Sequence, residues 1–440
     1  MGDSIWQETA LPEFEALRSD IRTDVLVIGG GMAGLLCARL LTDAGAACLV
    51  AERRRIASGV TARTTAKLTA QHGLIYHKLT REFGRETAQG YLHANLDALD
   101  ALRAMARGIP CDLEEKSAYL YALDGGKKLE AEMAALDAIG SAAVWERRLS
   151  LPFPVGGAIR FPGQAQFHPL KFLRGILPGL TVRENTPVLA LEGTTAVTPQ
   201  GRIHAQKVIV ATHFPFLNRH GSYFLKLYQQ RSYVLALENA GDVDGMYLDQ
   251  APGGLSLRNS GSTLLVGGGS HRTGTKSSGW TPLQEFAQRY YPQSIQRAAW
   301  ATQDCISLDG VPYIGRYSPR LPDVYVATGF NKWGMTGSMA AARLLRDEIL
   351  GTPSPYAEIF SPRRTMLRPQ LLANGLETAA NLLTPTAPRC PHLGCALKWN
   401  PQEHSWDCPC HGSRFAENGQ LLDNPATGPL KCRKGAKRRK

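Results

Sequence analysis

The stretch from Thr23 to Glu52, TDVLVIGGGMAGLLCARLLTDAGAACLVAE, constrains the fold more than any other part of the chain. Its apolar, β-branched start at Val25–Ile28 reads as a strand. Leu35, Leu36, Ala38, Leu40 and Leu41 then recur with helical spacing, Gly45 reads as a turn, and a second apolar run follows. Strand, helix and strand close within about 30 residues, the length of a βαβ unit. Gly29, Gly31 and Gly34 occupy the G-x-G-x-x-G positions between the first strand and the helix. Gly29 permits the tight turn, Gly31 lets a pyrophosphate approach the backbone, and Gly34 lets helix and strand pack closely. Glu52, at the end of the second strand, is placed to accept hydrogen bonds from ribose hydroxyls. The competing reading, a glycine-rich turn without a ligand, does not explain why all five features occur in order.

At 440 residues the chain predicts two or three domains. The longest nearly apolar run, Val25 to Ala38, is broken by three glycines and falls short of the ~20 residues a membrane-spanning helix needs. The first residues are acidic where a secretory leader would be basic, so a cytoplasmic chain is expected. The net charge of +12 is concentrated: seven of the fifty basic residues lie in the last ten, KCRKGAKRRK. Specific nucleic-acid binding is therefore not expected, although such a tail permits weak contact with anionic partners or lipid. Five of the nine cysteines, Cys390, Cys395, Cys408, Cys410 and Cys432, crowd into the last 51 residues, which reads as a metal site. Cys37, Cys48, Cys111 and Cys305 are scattered and read as small core residues.

Two further stretches favour FAD over a nicotinamide as the dinucleotide. Glu52 is followed by RRRIASGVTARTTAKLTAQHG, rich in small and hydroxyl residues. Near the far end, VYVATGFNKWGMTGSMAAARLL reads as strand, tight loop and helix. The start of that helix offers unpaired amides and partial positive charge, which suits the edge of a flavin that becomes anionic on reduction. The GGGMAG turn, the SGVTARTTAK loop, ATHFP at Ala211–Pro215 and ATGFNKWGMTGS together resemble the D-amino-acid-oxidase-like FAD oxidoreductases, over roughly positions 21 to 350. The resemblance implies an α/β fold: a Rossmann-like FAD-binding domain with an antiparallel-sheet substrate domain. It also implies that Gly29, Gly31, Met32, Ala33, Gly34, Glu52, Arg53, Thr65 and Lys67 bind the cofactor, and that Gly329, Phe330, Trp333, Gly334, Met335 and Thr336 touch its flavin ring.

The segment RCPHLGCALKWNPQEHSWDCPCHGSRF holds C-x-H at Cys390 and His392 and C-x-x-H at Cys408 and His411. Spacing alone leaves zinc open. The surrounding CPHLGC and CPCHGS resemble the two cluster loops of Rieske proteins, in which two thiolates hold one iron and two imidazoles the other. The resemblance implies Cys390 and Cys408 on the first iron of a 2Fe–2S cluster, His392 and His411 on the second, and a loop-bridging disulfide between Cys395 and Cys410. Ser413 is then placed to donate to a sulfide. Phe415 stands where a hydrogen-bonding tyrosine occurs in cytochrome bc relatives, which predicts a potential below theirs. Asn424, Pro425 and Ala426 resemble the proline loop that closes over such clusters, and the small β module is shortened on its N-terminal side.

The expected organisation is FAD-binding segments at 21–80, 151–215 and 305–352, a helical insertion at 81–150 and a substrate domain at 216–304. A linker helix at 353–386, the Rieske module at 387–430 and a basic tail at 431–440 follow. The expected function is dehydrogenation of a small amine or amino acid, with electrons passing from FAD through the cluster to an external acceptor. An oxidase with a structural or sensing cluster, and a redox sensor without turnover, are the alternatives. His72, Arg231, Tyr233, Arg258 and His271 are the candidates for the substrate site, an arginine being suited to a carboxylate.

Overall fold

The computed structural model describes residues 2–218, 220–352, 354–385 and 388–430, so the basic tail and Cys432 lie outside the described residues. The strand read at Val25–Ile28 is the buried half of Ile21–Ile28, which lies parallel between Cys48–Ala51 and Gly201–Val210. Outward from these, Thr181–Arg183 and Leu321–Thr328 continue the parallel pairing, and Tyr313–Ser318 adds an antiparallel edge. The helices Met32–Asp43 and Gly334–Leu350 pack on each other against this sheet. That cover explains the unbroken apolar runs, since a parallel sheet is buried on both faces.

The glycine turn is tight for a steric reason. Gly29 has φ +112°, and a Cβ there would stand 2.5 Å from the Ala211 carbonyl oxygen. A Cβ on Gly34 would stand 1.9 Å from the Gly29 carbonyl oxygen, so helix and strand can approach only because both residues lack side chains.

A second, nine-stranded sheet faces the first. Its long strands Leu227–Glu238, Thr263–Arg272 and Ile295–Ser307 are antiparallel, as the alternation of apolar and polar residues predicts. Two sequence assignments need correction. The segment 81–150 is not a helical insertion throughout: Arg85–Ala106 and Lys127–Ala138 are helices, but Glu114–Ala122 between them is a strand. It pairs with Gly157–Gln166 and Met246–Asp249. Its polar beginning, EEKS, hid a strand whose last residues are buried by the sheet rather than by local pattern. Gly157–Gln166, grouped by sequence with the nucleotide-binding segments, also belongs to this second sheet.

The C-terminal module is a four-stranded antiparallel sheet of Lys398–Asn400, Ser405–Asp407, Arg414–Ala416 and Leu421–Asp423. The helix Pro369–Leu383 precedes it. Among the described residues its buried apolar cluster comprises seven, four of them cysteines, which is too little apolar surface for an independent fold. Gly34→Ala is expected to cost about 2 kcal/mol or more through overpacking and to lower the flavin content of purified protein. Urea unfolding and the absorbance ratio of flavin to protein measure both.

Candidate functional site

A cavity of about 620 Å³ runs between the two large sheets and receives the glycine turn at one end and the Phe330–Met335 loop at the other. Gly29, Gly31, Met32 and Ala33 line it, with Glu52 and Arg53 beside them. The Glu52 carboxylate accepts from the Gly30 amide at 2.8 Å and the Arg54 amide at 2.9 Å, which fixes it at the mouth of the turn. Arg53 and Arg63 stay cationic although burial lowers their pKa values, and cations at this wall suit a pyrophosphate. Among the described residues, Nε of Arg63 and Nε2 of His213 are buried without a hydrogen-bond partner, and both residues line the cavity. Glycine turn, fixed carboxylate, cations and orphaned donors together fit a flavin dinucleotide.

At the flavin end, Phe330, Trp333, Gly334 and Met335 line the cavity, at the first turn of the helix Gly334–Leu350. Thr65 and Lys67 also line it. The Lys67 ammonium donates to the Tyr247 carbonyl and the Ser256 hydroxyl, both at 2.7 Å. Burial, then the neighbouring Arg258 cation, lowers its pKa to about 7. Three expected contacts stand behind the wall. Gly34 and Gly329 shape the turns, and the Thr336 hydroxyl donates to the Thr69 carbonyl at 2.9 Å, clamping the helix to the neighbouring loop.

The candidates for the substrate site divide. Tyr233 lines the cavity. His72 does too, but Nδ1 is bonded to the Tyr91 hydroxyl and Nε2 to the Thr69 carbonyl, both at 2.8 Å. Burial lowers its pKa to about 3, so it is a neutral ring with both nitrogens engaged, and it stacks on Trp333 at 4.7 Å between centroids. It props the loop rather than moving a proton. His271 lies off the cavity, stacked on Tyr233 with Nδ1 at 3.0 Å from the Gly269 carbonyl. Arg258 is buried, its Nε bonded to the Thr65 carbonyl and its guanidinium over the Trp6 ring, so it does not reach a substrate. Arg231 is also spent elsewhere, in an ion pair with Glu403 of the C-terminal module. The cation that faces the cavity beside the Trp333 loop is Lys332, whose ammonium donates to the Ser232 and Ser270 hydroxyls at 2.8 and 2.5 Å. The sequence signal for it was its place as the one cation within GFNKWG.

The C-terminal module forms part of this same cavity: Asp423, Asn424, Pro425, Ala426 and Thr427 line it. Asn424 donates to the Thr212 and Phe214 carbonyls at 2.5 and 2.8 Å. Gln229 donates to the carbonyls of His411 at 2.8 Å and Asn424 at 3.1 Å, while Gln303 holds Gly412 and Gln229 at 2.8 Å each. Behind these bonds Arg231 pairs through both Nε and Nη2 with Glu403 of the module. Glu403 also takes Arg414 at 2.9 Å, and Arg414 reaches Asp407 at 2.9 Å and Asp423 at 3.1 Å. Burial alone would raise the Asp423 carboxyl, but Arg414, then Arg231 and Arg63, hold it down at about 2. Sequence reasoning missed the Arg231 pairing of Glu403 and the bonds of Gln229 and Gln303 because these partners lie over seventy positions away.

The two cysteine–histidine loops come together as their spacing predicts. The His392 and His411 rings are 5.0 Å apart, and Nδ1 of each is buried without a hydrogen-bond partner among the described residues. Nε2 of His392 is held by Asn218 Oδ1 at 2.7 Å. Burial lowers the pKa of His392 to about 4; burial, then His392, lowers that of His411 to about 3. Two neutral imidazoles with inner nitrogens open, one of them anchored through its outer nitrogen, are in the donor state a metal needs. Cys390 and Cys408 are buried in one cluster, and the Ser413 hydroxyl accepts from the Ala426 amide at 3.0 Å. This donor set fits a 2Fe–2S cluster. The expected Cys395–Cys410 disulfide is not formed: both are free thiols, packed with Cys408 so that the three sulfurs lie within 4.8 Å of one another.

Residues 24–348 match the family of FAD dependent oxidoreductases, and residues 379–434 match the Rieske [2Fe-2S] domain. The chain thus belongs to the FAD dependent oxidoreductases and carries a C-terminal Rieske domain; its cofactors are FAD and a 2Fe–2S cluster. Among curated proteins it is 34% identical to YhfW of Bacillus subtilis, named as a Rieske 2Fe-2S iron-sulfur protein, over 98% of this chain and 97% of that one. Among solved structures it is similar to glycine oxidase from Geobacillus kaustophilus, with a TM-score of 0.65, 20% identity, and 78% of this chain and 99% of that one covered. It is also similar to L-proline dehydrogenase from P. horikoshii, with a TM-score of 0.66, 16% identity, and coverages of 78% and 98%.

Glu403→Ala strands Arg231 in a buried site and removes a carboxylate from Arg414. The expected loss is about 3–5 kcal/mol, measured by denaturant unfolding, with lowered iron content in the purified protein.

Proposed function

We propose that the chain is a dehydrogenase that oxidises a small amine or amino acid and passes the electrons, by way of its two cofactors, to an external acceptor. When bound, FAD supplies a two-electron acceptor and the cluster a one-electron carrier. The observation that carries the proposal is the shared wall: Asp423–Thr427 face the flavin cavity, while Ala426 is hydrogen-bonded to Ser413 of the second cluster loop. One short peptide therefore separates the two sites, and Gln229 holds it through the Asn424 carbonyl.

The chain's own groups suit an amino acid. Lys332 presents an ammonium toward the cavity that matches a substrate carboxylate, and Tyr233 and Trp333 supply apolar walls with restricted motion. Lys67, which lines the cavity with its pKa lowered by burial to about 7, is poised to exchange a proton near neutral pH. The similarity in fold to a glycine oxidase and an L-proline dehydrogenase supports an amino acid as substrate.

Anaerobic titration with candidate amino acids and amines, following flavin absorbance and the cluster's paramagnetic signal together, tests the proposal. Both centres are expected to become reduced by one substrate. Flavin bleaching with the cluster left oxidised contradicts the relay, and no bleaching by any amine or amino acid contradicts the substrate class.

A further inference from the structure

The helix Pro369–Leu383 has its polarity reversed. Its buried residues are Asn374 and Asn381. Asn374 Oδ1 accepts from Arg272 at 2.9 Å, and the Asn381 carbonyl accepts from the Ala396 amide at 3.0 Å, tying the helix to the substrate sheet and to the first cluster loop. The outward residues are leucines: Leu372 is 73% exposed, Leu376 74% and Leu383 82%, with Leu367 just before the helix at 85%. Leu372, Leu376 and Leu383 recur at helical spacing, so they share one face. A helix in a globular protein turns such a face inward, and a contiguous exposed apolar patch marks a contact surface.

The surroundings say what covers it. From Pro369 to Pro388 the only charged residue is Glu377, whereas exposed arginines, Arg363 and Arg389, flank the segment. Residues 431–440, which follow the module directly, carry seven lysines and arginines and no acid. A second copy of a chain with net charge +12 would bring like charges together at this face. An anionic lipid surface instead gains from every one of them. No helix among the described residues is long and apolar enough to cross a membrane, so the contact is peripheral.

We infer that the leucine face of Pro369–Leu383 docks this protein on anionic lipid bilayers. The helix lies in the plane of the surface, its leucines sit at the boundary of headgroups and acyl chains, and the exposed Arg363 beside it meets the headgroups.

Co-sedimentation of the full-length holoprotein with phosphatidylcholine vesicles, with and without phosphatidylglycerol, tests the inference. Binding is expected to vesicles containing phosphatidylglycerol and to weaken with salt. Leu372→Asp/Leu376→Asp is expected to reduce it about tenfold or more, with flavin absorbance and the cluster signal unchanged. Leu372→Ser/Leu376→Ser should do the same without added charge. Sedimentation velocity without lipid is expected to show a monomer for every form. Absence of binding to vesicles containing phosphatidylglycerol, or equal binding by the serine variant, overturns the inference. So does a dimer that the serine variant dissociates, which would assign the face to a second copy.

Discussion

The buried charge network at the junction of the flavoprotein and the C-terminal module is the constraint on which the rest of the architecture depends. Arg231 comes from the middle of the substrate sheet, Glu403 and Arg414 from the module, and none of the three side chains reaches water. Charges taken out of solvent are tolerated only when each finds its partner in good geometry, so a half-docked module would leave at least one ion stranded. Docking is therefore all or none. A module with an apolar core of seven residues has little else to hold its shape, and the network gives it the flavoprotein as a second half.

That dependence has a functional consequence. Because Asp423 belongs both to the network and to the cavity wall, the interaction that fastens the module also positions the peptide separating the two cofactor sites. The hydrogen bonds from Gln229 and Gln303 to the His411–Gly412 backbone act in the same sense and hold the second cluster loop against the substrate sheet. The two histidines that fit the cluster are thus oriented from outside the module: His392 by Asn218, His411 through its carbonyl by Gln229. The first cluster loop is also tied to the leucine-faced helix, so the face inferred to meet lipid and the cluster belong to one rigid neighbourhood.

Local features were legible in the sequence. The glycine turn could be read because three glycines fall within six positions between a strand and a helix, and the cysteine–histidine loops because two short motifs each pair the two residue types. What was not legible is what depends on distant partners. Arg231 and Arg258 have the chemistry of substrate anchors, but Glu403 lies 172 positions from the first and the Thr65 carbonyl 193 from the second. Glu114–Ala122 escaped notice because its burial comes from strands far along the chain, not from its own alternation. His72 failed as a proton carrier for a similar reason, since Tyr91 and Thr69 take both its nitrogens.

The central claim is that flavin site and cluster site form one cooperative unit through the Arg231–Glu403–Arg414 junction. Thermal unfolding of the holoprotein, followed at once by flavin fluorescence and by cluster absorbance, tests it most directly. The two signals are predicted to change in a single coincident transition. Loss of the cluster signal in a separate step, with the flavin still bound, would contradict the account.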